Sequence, residues 1–262
     1  MVALTTKVMF VSCLVLVIGI YIYPRDDHSF DYFYLALQWP ASVCHEAAGS
    51  NVTCIKPLPG NFTIHGLWAQ KKIKNHKPKS YDCNSTTRNI RICRKHPFNY
   101  DELKNDRKLM EMMNERWPNL INGSSSPDQQ NKKFWKKEWE KHGCCLFNFK
   151  SHQNDYFKKT CGMWKQAPLL QIFAAQKPPI TPGRKKKYSL RQYIEAIRRS
   201  EVRRGAFKCS KNKPKRLVEV RLCTDKEVTK FVDCPGRILT VVSRSCGTKY
   251  STKNIAFPIS YT

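Results

Sequence analysis

The 262-residue chain is short of acid: 20 aspartates and glutamates stand against 47 lysines and arginines, a formal net charge of +27. Such an imbalance concentrates polyanions at a protein's surface, whether RNA, DNA, acidic cell-wall polymers or anionic membranes. Charge alone does not choose among them, and a merely soluble basic surface is the bland alternative. No Cys-x-x-Cys pair and no His-x-x-x-His occurs, which removes the usual zinc frameworks. Neither a metal nor another cofactor is expected. There is no internal repeat and no linker long enough to separate a pair of domains, so one α+β domain is the economical reading. Past residue 22 no run is long and apolar enough to span a bilayer.

What is present begins with an apolar run at residues 8–22 behind Lys7. It reads as a secretory signal peptide within residues 1–27, cleaved somewhere near 22–28. The cleavage motif is poor, which keeps an uncleaved signal anchor as the alternative. The twelve cysteines agree with an oxidising, extracellular destination. Loss of Cys13 with the signal leaves eleven, so at least one thiol stays free or bonds to another molecule. Sequons at Asn51, Asn61, Asn84 and Asn122 become glycan acceptors in an exported chain.

Along the mature chain, residues 30–40 are aromatic and aliphatic and stop at Pro40, the pattern of a buried strand. Residues 61–68 form a second, shorter strand, with Phe62 and Ile64 on one face and Thr63 and His65 on the other. Residues 71–96 are polar and basic and read as a loop-rich excursion. A helix is predicted over 101–118, with Leu103, Met110, Met113 and Trp117 inward, closed by Pro118. An exposed loop follows at 122–128. Residues 156–175 read as two helical pieces divided at Pro168. Arg184 to Lys187 form a solvated cationic loop, and 188–200 a short basic helix. Residues 216–224, 228–234 and 238–245 are strand-like, with Cys209, Cys223, Cys234 and Cys246 near their ends.

The stretch around which the rest is arranged is Phe134-Trp135-Lys136-Lys137-Glu138-Trp139-Glu140-Lys141-His142-Gly143-Cys144-Cys145. On a helix, residues three and four apart share a face. Glu138, Lys141 and His142 then form one titratable cluster, anchored by Trp135 and Trp139. Gly143 suits a helix end, with a cysteine just beyond it. The bland alternative is a surface helix carrying a hydrophobic stripe, and a lone strand histidine such as His65 is more often structural than catalytic. Taken as a pair, however, His65 and His142 meet the needs of metal-free RNA cleavage. That reaction needs a base for the ribose 2′-hydroxyl, an acid for the leaving 5′-oxygen and a cation for the crowded phosphorane. Imidazole titrates near the working pH, and a lysine supplies the charge.

Residues 61–68, Asn-Phe-Thr-Ile-His-Gly-Leu-Trp, together with the 134–145 stretch closely resemble the two active-site signatures of the T2 family of secreted ribonucleases. Leu37-Gln38-Trp39-Pro40 is similar to that family's first strand, Arg116-Trp117-Pro118 to its helix before the second signature, and Ile255-Ala256-Phe257-Pro258 to its final strand. The resemblance implies one disulfide-stapled α+β domain over residues 28–262, a central antiparallel sheet packed against several helices. It implies an endoribonuclease that passes through a 2′,3′-cyclic phosphate, with His142 as base and His65 as acid. The two would exchange roles if the cyclic phosphate is then hydrolysed. Glu138 and Lys141 would stabilise the pentacoordinate phosphate. Gln38 and Phe134 match base-contacting positions, the phenylalanine by stacking. An equally good reading makes them a strand-end polar residue and a core aromatic. The resemblance further implies disulfides Cys44–Cys54, Cys83–Cys145, Cys209–Cys246 and Cys223–Cys234. That leaves Cys93, Cys144 and Cys161 over, with Cys93–Cys144 as one open pairing.

Strong basicity and the C-terminal cysteine arrangement are most similar to the plant S-RNases of gametophytic self-incompatibility. That subfamily implies an RNA substrate, a monomer, no membrane after signal cleavage and, for an S-RNase, pollen-side F-box protein partners. The alternatives are a general secreted plant T2 ribonuclease of phosphate recovery or defence, and a catalytically silent basic RNA- or glycan-binding protein. Three departures stand out. Lys137 replaces a third histidine carried by many members; it can hold a phosphate but cannot exchange protons near neutral pH. Cys144 stands where Thr or Ser is usual, and Ala69 replaces a proline, which reads as a small change in a turn.

Overall fold

The computed structural model describes residues 30–48, 52–73, 79–122, 126–146, 153–236, 242–247 and 254–260. The signal-peptide reading of residues 1–27 and the sequon at Asn51 lie outside them.

Strand β1 (Tyr32–Gln38) is buried at every position, so its apolar run needs partners on both edges and cover on both faces. It obtains the edges from β3 (Thr63–Lys71) and β8 (Leu217–Thr224), both antiparallel. Short strands β2 (Thr53–Cys54) and β5 (Ile121–Asn122) pair with each other apart from this sheet. The main sheet runs β4 (Lys79–Ser80), β3, β1, β8, β7 (Ala206–Cys209), with β9 (Phe231–Val232) also on β8. Phe33, Leu35 and Leu37 face the main core, which is closed by helices. Alternate residues Tyr32 and Tyr34 face a smaller cluster with Ala206 and the Cys223–Cys234 disulfide.

The helices are α1 (Pro40–Ala47), α2 (Thr87–Lys95), α3 (Tyr100–Asn105), α4 (Arg107–Arg116), α5 (Pro127–Glu138), α6 (Gln153–Lys165), α7 (Leu169–Ala174) and α8 (Leu190–Arg198). Strands β6 (Lys187–Tyr188) and β10 (Ile255–Ala256) form a separate ribbon. Helix α6 brings Tyr156, Phe157 and Cys161 into the core against the sheet. Asp106 ends α3 and caps α4 by accepting from the Leu109 amide at 3.1 Å, which breaks the expected 101–118 helix in two. Pro168 divides α6 from α7 as expected.

Four expectations are corrected. The supposed loop at 71–96 contains α2, whose Thr86 cap accepts from the Asn89 amide; it escapes a hydrophobic reading because Asn89 is its one buried residue. The 228–234 strand shrinks to Phe231–Val232. The 238–245 strand is not one where it is described: residues 242–243 are helical and Arg244–Cys246 is a 3₁₀ turn, while 237–241 lie outside the described residues. There the Ser243 and Ser245 hydroxyls accept from the Phe207 and Cys209 amides, so side chains rather than a strand satisfy that edge of β7. Ala69 sits inside β3 rather than in a turn, opposite Phe33 of β1 and with its carbonyl accepting from the Tyr81 amide.

Among the described residues five disulfides staple the fold: Cys44–Cys54, Cys83–Cys145, Cys93–Cys144, Cys209–Cys246 and Cys223–Cys234. Cys161 is the free thiol among the described residues; burial pushes its pKa up to about 12 and hides it from other molecules. Among the described residues, no helix is long and apolar enough to cross a membrane.

Candidate active site

His65 owes its position to an irregularity in the sheet. Leu37 faces Ile64 and Ala36 faces Gly66, so His65 is the extra residue of a β-bulge. Strict alternation would put His65 and Trp68 on opposite faces. The bulge instead brings their rings to 5.0 Å between centroids. The carbonyl of His65 is pinned by the Trp117 indole at 3.1 Å. All six tryptophans of the chain donate their indole N–H, five of them to backbone carbonyls: Trp39, Trp117, Trp135, Trp139 and Trp164. Trp68 is the exception. Its Nε1 donates to Oε2 of Glu138 at 2.9 Å.

Glu138 and His142 arrive on α5 and its continuation. Ser126 caps the helix, Pro127 occupies its first turn, and Asn131, Trp135 and Glu138 form the buried stripe. The last turn, Trp139–Gly143, widens to a π-helix closed by the Cys144 amide on the Trp139 carbonyl at 3.0 Å. Gly143 acts through close approach and not as a left-handed cap: a Cβ there would lie 2.3 Å from the Trp139 ring. Gly66 plays the same role opposite, where a Cβ would lie 2.2 Å from Oε2 of Glu138.

The result is a cluster centred on Trp68. The His65 and His142 rings both pack against its indole, with centroids at 5.0 and 5.6 Å. Glu138 is buried and held by the indole N–H; Lys141 is half-exposed, its Nζ 3.9 Å from Oδ2 of Asp82. Phe134 stands 6.3 Å from His65, ring to ring. Gln38, Phe134, His65, Asn119, Lys208 and Glu219 line a cleft of about 400 Å³ beside that histidine. Lys137 is exposed on α5, apart from the residues that line the cleft. Of the sequon asparagines, Asn84 is exposed and Asn61 half-buried.

Three charged residues of the site were not anticipated. Oε2 of Glu219 is 2.7 Å from Nδ1 of His65, and its Oε1 accepts from Nε of Arg221 at 2.6 Å. Burial by itself would raise the Glu219 pKa, but the His65 hydrogen bond and the Arg221 and Lys208 charges hold it well below the usual carboxylate range. The Arg221 guanidinium in turn lies 5.1 Å from the Trp68 ring. Across the site, Oδ1 of Asp82 is 3.2 Å from Nδ1 of His142. Burial opposes ionisation of Asp82 too, yet the adjacent His142 imidazole, the Ser80 hydroxyl and the Lys141 charge lower its pKa. A signal existed for both acids. Glu219 and Arg221 are the charged positions of an otherwise apolar strand, two apart and thus on one face. Asp82 precedes Cys83, and the implied Cys83–Cys145 bridge carries it to the end of the His142 helix.

Residues 30–234 match the family model described as Ribonuclease T2 family. Ribonuclease S-7 of Nicotiana alata is 31% identical over 208 residues, covering 79% of this chain and 83% of that protein. Ribonuclease 3 of Arabidopsis thaliana is also 31% identical, over 212 residues, covering 79% of this chain and 83% of its own length. In fold the chain is similar to the crystal structure of the Nicotiana alata gametophytic self-incompatibility associated SF11-RNase. The TM-score is 0.66 at 24% identity, over 88% of this chain and 100% of that one.

Proposed function

The chain belongs to the ribonuclease T2 family and is an endoribonuclease of that type, and from that premise we propose that it cleaves RNA through a 2′,3′-cyclic phosphate by acid–base catalysis between His65 and His142. The observation that carries this reading is the Trp68 cluster, in which two imidazoles pack against one indole that also holds a buried carboxylate. Nδ1 of each histidine is turned to an acid, so Nε2 is the nitrogen available to substrate.

His142 takes the proton of the ribose 2′-hydroxyl as that oxygen attacks phosphorus. The bond from phosphorus to the 5′-oxygen breaks, and His65 gives its proton to that oxygen. The products are a 2′,3′-cyclic phosphate and a 5′-hydroxyl. Hydrolysis of the cycle uses the same groups with roles exchanged. Lys141 supplies positive charge to the phosphorane, and Glu138 polarises the phosphate. Gln38 and Phe134 hold a base in the cleft beside His65, the ring by stacking. Lys137 adds an exposed cation for a flanking phosphate, with less acid-dependent activity than a histidine there would give.

The test is degradation of yeast RNA in EDTA by the purified protein. His65→Ala and His142→Ala should each lower the rate by about 10²–10⁴-fold. Retained activity in both variants, or a need for added metal, would sink the reading.

The proposed setting is extracellular, as a style ribonuclease of gametophytic self-incompatibility with pollen-side F-box proteins as partners. Its support is the +27 charge and the similarity to Ribonuclease S-7. Ribonuclease 3 is equally similar, which favours a general plant ribonuclease as the second reading. Transcripts confined to styles, with many divergent alleles, support the first; transcripts in starved roots or senescing leaves support the second.

A further inference from the structure

Each histidine of the site is backed by an anion that is itself backed by a cation. For His65 the chain of contacts is Nδ1 to Glu219 at 2.7 Å and Glu219 to Nε of Arg221 at 2.6 Å. Glu219 is 1% exposed, with both carboxylate oxygens engaged, and cannot swing away. For His142 it is Nδ1 to Asp82 at 3.2 Å and Asp82 to Nζ of Lys141 at 3.9 Å. Asp82 is also held by the Ser80 hydroxyl at 2.5 Å, and the amide of its neighbour Cys83 donates to the Lys141 carbonyl at 2.7 Å. The two arrangements come from unrelated segments, a β-strand and a disulfide-anchored loop, and reach the same ring atom.

We propose that Glu219 and Asp82 are positioning residues, each holding the Nδ1–H of one histidine so that Nε2 alone faces the RNA, while Arg221 and Lys141 balance the anions so that neither imidazole is locked in one charge state. The inference rests on the acid–base reading above and adds to it. An imidazole that must donate a proton in cleavage and accept one in cyclic-phosphate hydrolysis needs a fixed tautomer and an unfixed charge. A carboxylate alone would fix both; a carboxylate paired with a cation fixes the first. The charged groups around His65 are Glu219 and Arg221 from β8, Lys208 from β7, Glu46 from α1 in the same cleft and, through Trp68, Glu138 from α5. Around His142 they are Asp82, Lys141 and, again through Trp68, Glu138.

The experiment follows the pH profile of kcat/KM for a dinucleotide substrate and, separately, for a 2′,3′-cyclic phosphate. In cleavage, Glu219→Gln should lower kcat at least about tenfold with little change in KM. It should also move the alkaline limb, set by the acid His65, about one unit to lower pH. Arg221→Gln leaves the anion unbalanced and should move that limb the other way. Asp82→Asn should move the acid limb, set by the base His142, to lower pH. With the cyclic phosphate the affected limbs should trade places. Ring ¹⁵N shifts of the unmodified protein give a reading that needs no variant: above the titration, both histidines should carry their proton on Nδ1. Limbs that stay in place, or a proton on Nε2 in either ring, overturn the inference even if His65→Ala is inactive. An active His65→Ala overturns the catalytic reading itself.

Discussion

The two histidines reach one indole by opposite means. His65 comes from a sheet in which neither β1 nor β3 contains a cysteine; its place is set by backbone register and one bulge. His142 comes from a helix whose last turn is widened, and the two residues after Gly143 are both disulfide-bonded, Cys144 to Cys93 and Cys145 to Cys83. The difference follows from geometry. A strand in a three-stranded ladder cannot slip by one residue without turning its core face outward, so register alone is strict. A helix end frays and can rotate, so holding a side chain there to the nearest ångström calls for cross-links. The acids follow suit, with Glu219 built into the sheet and Asp82 tied beside the bridge.

Breaking the cross-links is the most severe test of that contrast. Replacing Cys93 and Cys144 together by alanine opens a loop of 51 residues and should cost about 2–4 kcal/mol in chemical denaturation. Hydrogen exchange should quicken in α2 and the 139–145 segment and leave β1 and β3 protected. Equal loosening of both halves would contradict the comparison. The sheet side has its own weak point at Gly66. Gly66→Ala presses a methyl group onto Glu138 and Trp68 and should cost about 1–3 kcal/mol, with activity falling alongside stability. Trp68→Phe removes the one indole donor to buried Glu138 and should cost about 1–3 kcal/mol, less any water that takes its place.

The smallest effect separates the two acids by pH. Glu219 and Asp82 both have pKa values below the ordinary carboxylate range when folded. The unfolded chain therefore takes up protons first as pH falls. Their stabilisation is full above about pH 5 and lost progressively below it. Glu219 is buried and Asp82 about a quarter exposed (26%), so solvent screens the second more. Melting temperature followed from pH 5 down to pH 2 should fall less steeply in Glu219→Gln than in the parent, and Asp82→Asn should show a weaker form of the same change.

Much of the molecule was legible in advance where local pattern and tertiary role agree. The unbroken apolar run of β1 could only be a strand covered on both faces, and Asn131, Trp135 and Glu138 repeat at helical spacing toward the core. The two signature stretches carried the family, and the family carried four disulfides. What could not be read locally was decided by pairs far apart in sequence. The bulge at His65 exists only as a mismatch between two strands, and Glu219 meets His65 across 154 residues. Gly66 and Gly143 are required by what lies opposite them, Glu138 and Trp139, and not by their own backbone angles. The sequence by itself determined which side chains could do the chemistry, because residue type fixes what can carry a proton or a charge. Only the tertiary structure decided which nitrogen of each histidine meets an acid, because that acid comes from a distant segment of the chain.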